Sequence, residues 1–342
     1  METTLLQELS NADIDWLLRT GELIELTPET ILLKPGQRLE ALYILLDGTL
    51  ALSIPETETD LLWLSNNEMT GALPGVEMDA SSLAVRATTR CWVLALERST
   101  LLNKLQEDTF FAAHLYRAIA IQIANHLASL TQQLAASDGT VFHQTQRDSI
   151  TMFAALHDDD LDWLIGAGQV QHLAAGTILV QSGRPMDAWY ILLEGAVALM
   201  SVPVDRNPLL SSLANQPAET PETEVGRLSR GDTIGELQFI QSNCADLTAI
   251  AVRETQVLAI PRWRLAAKLL HDPGFAARFY QILTVLLVHQ MQAMMQQFTG
   301  QESANHAFDS QFLTRVELAE ARFEWLLKRI PTKVAVGGGV KW

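Results

Sequence analysis

Few side chains in this sequence combine the types and spacing that chemistry requires. The two cysteines, Cys91 and Cys244, are far apart and form no CxxC pair. Neither a zinc ribbon nor a disulfide framework is therefore expected. Cys244 reads as a small, half-buried thiol of ordinary reactivity rather than a redox or ligand-sensing group. His114, His126, His157, His172 and His289 are scattered without metal-ligand spacing and are assigned to structure or surface. No Ser/His/Asp or Cys/His arrangement, no Walker loop and no pair of carboxylates separates itself from an acidic surface. The expectation is a non-catalytic protein with no metal and no cofactor. Met291, Met294 and Met295 follow a helical period and read as helix packing, with an adaptable partner face as the competing use.

The bulk properties agree with that negative inventory. The chain has 342 residues, enough for two domains of the usual size. Its formal charge is −16 and it has no Lys/Arg cluster, so broad nucleic-acid binding is not expected. The first residues, METTLLQELSNADIDW, lack a basic stretch ahead of an apolar run, so no signal peptide is read there. The apolar run near Tyr280–Val288 is too short to span a bilayer. Membrane insertion is not expected, and a cytoplasmic location is.

What remains informative is repetition. Asp15-Trp16-Leu17 recurs as Asp162-Trp163-Leu164, Gly36 as Gly183, and YILLDG (43–48) as YILLEG (190–195), all at an offset of 147. The match resumes at an offset of 164, where Trp92–Leu96 answers Gln256–Ile260, and Arg98, Phe111 and Tyr116 answer Arg262, Phe275 and Tyr280. A repeat of this length is a domain, not a solenoid unit.

Each repeat has the same elements to place. Ser10–Asp13 and Asp158–Asp160 read as helix starts. Short strands follow at Glu22–Leu26, Thr30–Lys34, Ala41–Leu46 and Thr49–Ile54, punctuated by Pro35-Gly36 and Asp47-Gly48. Many short strands with regular turns predict a mainly β, α+β fold built on a jelly roll. Residues 201–230, with four prolines, read as a surface loop; 55–67 is its shorter counterpart. Ser137–Thr140 is the expected junction. Apolar residues at steps of three and four predict long helices over Phe111–Leu134 and Phe275–Phe298. A further helix is predicted over Ser310–Arg329, ahead of a glycine-rich tail. Trp16 and Trp163 are expected in the cores.

A helix, an eight-strand roll with an Asp/Glu-Gly turn after YILL, a Gly-Glu-Leu segment in GDTIGELQFI (231–240) and a long closing helix resemble the cyclic nucleotide-binding domain. The resemblance covers about residues 8–135 and 155–298. It implies two tandem double-stranded β-helix rolls, each with flanking helices, plus a C-terminal helix: residues 1–137, 138–300 and 301–342. It also implies a phosphate-binding cassette at Gly235, Glu236 and Leu237, with the glutamate accepting from a ribose hydroxyl. The arginine expected to pair with the phosphate falls on Asp246, and Thr248 stands near the Ser/Thr position. The first repeat keeps Gly71 and Leu73 but has Ala72 for the glutamate and Ser82 for the arginine. A carboxylate in place of a cation loses an attraction and adds a repulsion, each about 4 kcal/mol at 4 Å with an effective dielectric near 20. Cyclic nucleotide binding is therefore expected to be weak or absent, unless Arg86 or Arg184 substitutes.

Three functions compete on this reading. The first is a regulatory or scaffold protein with degenerate pockets, acting through protein–protein contacts or dimerisation along its long apolar helices. The second is a sensor that holds cyclic AMP, cyclic GMP or another small molecule in the second repeat. The third, a DNA-binding regulator, is disfavoured because too few and insufficiently basic residues follow Phe298.

Overall fold

The computed structural model describes residues 5–54, 59–74, 83–136, 153–201, 223–236, 240, 247–299 and 310–330. Leu237, Cys244, Asp246, Ser82, the Ser137–Thr140 junction, most of the 201–230 loop and the C-terminal tail lie outside these residues.

Among the described residues, two rolls of eight strands are present. The first contains β1 (Glu22–Leu26), β2 (Ile31–Leu33), β3 (Ala41–Asp47), β4 (Leu50–Ile54), β5 (Thr59–Leu64), β6 (Met69–Gly71), β7 (Ala84–Ala87) and β8 (Cys91–Glu97). The second contains β9 (Gln169–Leu173), β10 (Ile178–Val180), β11 (Ala188–Glu194), β12 (Val197–Ser201), β13 (Thr223–Leu228), β14 (Thr233–Ile234), β15 (Thr248–Ala251) and β16 (Thr255–Pro261). Each roll has two four-stranded sheets. The orders β1-β8-β3-β6 and β2-β7-β4-β5 repeat as β9-β16-β11-β14 and β10-β15-β12-β13. The registers repeat as well. Tyr43 stands opposite Ala95 and Thr70, and Tyr190 opposite Ala259 and Ile234. The tandem duplication is therefore a duplication of topology.

The inward-facing strand residues set the cores. Leu33, Leu45, Leu50, Leu64, Ala72 and Val93 fill the first roll, and Val180, Met186, Leu192, Val197, Leu228 and Val257 the second. Each fully buried side chain of this size stabilises its roll by roughly 1.5–3 kcal/mol. The tryptophans depart from expectation. Trp16 and Trp163 are only half-buried, and a lysine ammonium lies over each ring: Lys104 at 5.6 Å and Lys268 at 5.7 Å. These lysines occupy equivalent positions of the two repeats, and each sets its ammonium over a ring face, that of Lys104 also pairing with Asp108 at 2.8 Å.

The helices begin as their sequences dictate. Helix α1 spans Leu5–Glu8, and α2 spans Asn11–Thr20 with a capping box between Ser10 and Asp13. After α3 (Arg98–Glu107), Asp108 accepts from the N–H groups of Phe110 and Phe111 and starts α4 (Thr109–Ala136). In the second repeat α5 spans Asp158–Ala167. Its cap is His157, one residue before the expected acidic run, and Asp160 accepts from the His157 N–H at 2.8 Å. Helix α6 spans Arg262–His271. Asp272 then caps α7 (Pro273–Thr299) through Phe275, as Asp108 caps α4. Helix α8 spans Ser310–Arg329.

The chain divides into two compact units. Met1–Gly139 joins Leu269–Ala304, and Thr140–Lys268 joins Asn305–Trp342. Helix α7, which follows the second roll in sequence, thus packs in the first unit beside α4. Thr284 Oγ1 donates to the Tyr116 carbonyl at 3.1 Å, and Arg117 lies over the Tyr280 ring and pairs with Glu8. The two apolar stripes, expected either to carry an intermolecular contact or to pack together within one chain, do the second here. Ile119, Ile123, Leu127, Leu130, Leu283 and Leu287 are all buried within the unit, because two stripes of the same period close against each other. Met291, Met294 and Met295 pack with Leu130 against Ile54, Leu61, Leu62 and Leu83 of the first roll. They serve as helix packing. The Leu134 side chain is outside the described set.

Candidate functional site

Candidate site residues in the second roll follow the short strand β14. Ile234 pairs with Tyr190, and the chain then turns at Gly235, whose φ is +106°. A side chain there meets two obstacles: the left-handed backbone, and Met186 Cε, 2.7 Å from where a Cβ would stand. Gly71 is its counterpart, with φ +93° and the Ala41 carbonyl oxygen 2.4 Å from a Cβ. Both glycines are therefore set by sterics of the roll.

The residues after the two glycines differ. Glu236 accepts from Thr233 Oγ1 at 3.3 Å. The residue is half-buried, but its carboxyl group sits among protein atoms, and burial pushes its pKa above the ordinary carboxylate range. Thr233 and its own backbone N–H offset part of that effect. Ala72, at the same place in the first roll, is 4% exposed and packed into the apolar core. Thr248 is also buried, and its hydroxyl accepts from the Ser182 N–H at 3.2 Å. The structure thus describes Gly235, Glu236 and Thr248. Leu237 and Asp246 fall outside it, so their placement rests on the sequence. Thr233 was not singled out from the sequence, although its position two residues before Gly235 marks it.

The substitute arginines are placed differently. Arg86 is held by Glu29 at 2.7 Å and by Asp60 at 3.3 Å, so its charge is already answered by two carboxylates. Arg184 is exposed, in the turn between β10 and β11. Tyr43 and Tyr190, at equivalent positions, both have phenols raised by burial and then by a nearby acid, Glu40 or Asp187.

The turn preceding β6 and β14 is conserved in geometry between the repeats but not in attachment. In the first roll Ser65 N–H donates to Glu68, whose carboxylate also meets His126 Nε2 at 2.8 Å, and Gln122 bonds both backbone groups of Met69. The turn is gripped by α4. In the second roll Ser229 N–H donates to Asp232 at 2.7 Å, and Arg230 pairs with Glu324 of α8. Among the described residues no group of three or more His, Cys, Asp or Glu is placed to hold a metal ion, and no helix is long and apolar enough to cross a membrane.

The model of the cyclic nucleotide-binding domain family matches residues 23–108 and 170–272, more than half of the chain. Among curated proteins, the chain is 24% identical over 295 residues to lysophospholipase NTE1 of Cryptococcus neoformans, a match covering 78% of this chain and 16% of that protein. The match to lysophospholipase NTE1 of Meyerozyma guilliermondii, also 24% identical, covers 33% and 9%. The chain therefore spans only a small part of these relatives. Among solved structures, the regulatory subunit of a cAMP-independent protein kinase A from Trypanosoma brucei is 16% identical, with 85% of this chain and 86% of that one covered and a TM-score of 0.32.

Proposed function

We propose, since this chain belongs to the cyclic nucleotide-binding domain family, that it is a non-catalytic regulatory module whose second roll holds a small hydroxyl-bearing ligand. The first roll is its structural counterpart. One observation carries this reading. At four equivalent positions the second roll has Thr233, Glu236, Thr248 and Thr255 where the first has Met69, Ala72, Ala84 and Cys91. A roll that needed only to fold gains nothing from burying a carboxyl group whose hydrogen bond from Thr233 is long, 3.3 Å.

The proposed site comprises Gly235, Glu236, Leu237, Asp246 and Thr248, with Thr233 added. Glu236 accepts from ligand hydroxyls, as a ribose presents. In the sequence, Asp246 aligns with the arginine that the family pairs with the phosphate, so the preferred ligand is uncharged and cyclic AMP and cyclic GMP bind weakly. The scaffold reading rested on helical stripes that are closed within the chain, and it loses that support. A cytoplasmic setting belongs to the proposal, on the strength of cysteines that form no motif pair.

Calorimetry on the full chain with adenosine, guanosine and their cyclic monophosphates tests it. A nucleoside should bind, its cyclic monophosphate should bind at least tenfold more weakly, and Glu236→Ala should abolish binding. Absence of heat with all four, in a folded protein, overturns the ligand reading. Tight cyclic AMP binding overturns the role given to Asp246, and Asp246→Arg should raise that affinity by tenfold or more.

A further inference from the structure

Helix α6 turns an apolar face to water. Trp263 and Leu270 are 68% and 78% exposed, the two most exposed large apolar side chains among the described residues. They stand seven residues apart with exposed Ala266 and Ala267 between them, so all four share one side of the helix. The first roll supplies the control. At the offset of 164, Trp263, Ala267 and Leu270 correspond to Ser99, Asn103 and Gln106 of α3, and these three are exposed as well. Polar side chains therefore suffice at these positions for a roll to fold. A tryptophan and a leucine held in water gain nothing there until something covers them.

The flanks of that face are basic. Helix α6 carries Arg262, Arg264 and Lys268 and no carboxylate, in a chain with 40 Asp and Glu against 24 Lys and Arg. Arg264 donates to the carbonyls of Gly166 and Ala167, and Lys268 lies over the Trp163 ring. Both contacts fasten α6 to α5.

Helix α8 presents the opposite charge. Its buried stripe is Ala319, Phe323 and Leu326. Arg322 donates to the carbonyls of Phe153 and Ala154, just ahead of α5, and Arg329 pairs with Asp162 of α5. Over residues 317–321 the other side is open: Leu318, 45% exposed, and Ala321 three residues on, with exposed Glu317 and Glu320 beside them. Two helices fastened to α5 thus carry exposed apolar faces, one edged by cations and the other by carboxylates.

We propose that these faces meet between two copies of the chain: α6 of one copy packs on α8 of the other, and a two-fold axis repeats the contact with the roles exchanged. Charge selects this arrangement. Pairing α6 with α6 would set arginine against arginine, and pairing α8 with α8 would set Glu317 and Glu320 against their own copies, whereas α6 on α8 joins opposite signs around two apolar stripes. A closed two-fold pair uses each face once and leaves neither open to add a third copy. Closure also doubles the buried surface, of which a specific interface takes roughly 800 Å² from each partner. The pairing needs no ligand in either roll.

Sedimentation equilibrium of the full chain across the micromolar range is the test. A monomer–dimer equilibrium is expected, and it should weaken as salt is raised, because the flanks are charged. Trp263→Ser brings in the side chain that the first roll already tolerates. It should weaken association about tenfold or more and leave the urea midpoint unchanged. The double substitution Glu317→Lys, Glu320→Lys should weaken association as well. Mixing the two variants decides which helices meet. Each variant alone has both contacts damaged, but a mixed pair keeps one intact α6–α8 contact, so association should recover in part. A chain that stays monomeric at the highest concentration overturns the proposal, as does dimerisation that Trp263→Ser leaves unchanged. Dimerisation that both variants weaken and mixing fails to rescue means that like helices pair, and it overturns the proposal too. A monomer that instead binds vesicles of anionic phospholipid, and loses that binding with Trp263→Ser, gives the α6 face to a membrane surface and overturns the pairing.

Discussion

The two rolls share strand order, register and glycine positions, yet they handle the same turn in opposite ways. In the first, Glu68 and the Met69 backbone are bound by His126 and Gln122 of α4. Beyond it, Ala72 and Cys91 are buried where the second roll has Glu236 and Thr255. In the second, Asp232 is buried inside its own turn, Arg230 reaches to α8, and Thr233, Glu236 and Thr248 bring polar atoms inward. Duplication copied a scaffold. Divergence then made one copy a packed support for two long helices and left polar chemistry in the other.

The largest expected effect breaks the support. Leu287 is 1% exposed between α4 and α7. Leu287→Asp buries an unpaired charge and should destabilise the first unit by several kcal/mol, on the order of 4 or more. Urea unfolding checks it. A well-folded variant that merely changes oligomeric state by light scattering would instead restore dimerisation along the long apolar helices.

Exchanging the polar site between rolls should cost less. Ala72→Glu places a carboxyl in the first core, where Met69 replaces the supporting Thr233, and should cost about 2–4 kcal/mol. A neutral result would mean that the first roll still has room and polarity for a ligand.

The turn contacts sharpen the comparison through pH. Burial works against the Glu68 carboxylate, but His126 and Ser65 outweigh it and lower its pKa. Its stabilising contribution is therefore present above the ordinary carboxylate range and is lost as pH falls through the lowered value. Glu236 is raised, so its contribution is present at acid pH and is lost as pH rises through its elevated value. Glu68→Gln should reduce stability at neutral pH by about 1–2 kcal/mol. Glu236→Gln should raise stability by roughly 1 kcal/mol at pH above the elevated value, since burial disfavours the charged form. Same-signed effects of the two substitutions in pH-dependent urea titrations would dissolve the contrast between the rolls. The smallest effect belongs to Arg230→Ala. Both partners of its ion pair are about half exposed, so the loss in stability should stay at about 0–1 kcal/mol.

Local pattern made much of this legible. The repeat offsets located β3 and β11 and paired Gly71 with Gly235, because a jelly roll writes its turns into short, fixed spacings. The periods of α4, α7 and α8 gave their extents to within a few residues, because an amphipathic stripe is a property of consecutive turns. The Ser10–Asp13 cap was readable for the same reason. Glu236 was visible as a motif member.

The tertiary structure decided where those elements spend their faces. That α7 closes against α4, that Lys104 and Lys268 cover the two tryptophans, and that Arg230 meets Glu324 are contacts between segments far apart in sequence. An apolar stripe specifies that it must be buried, not what buries it, since dispersion and desolvation do not depend on the identity of the covering chain. A buried carboxyl likewise looks like any glutamate until the fold determines how much water it keeps. The sequence by itself determined the duplicated rolls and the residues that differ between them. Only the packing of distant segments decided which copy became a closed support and which kept polar groups inside.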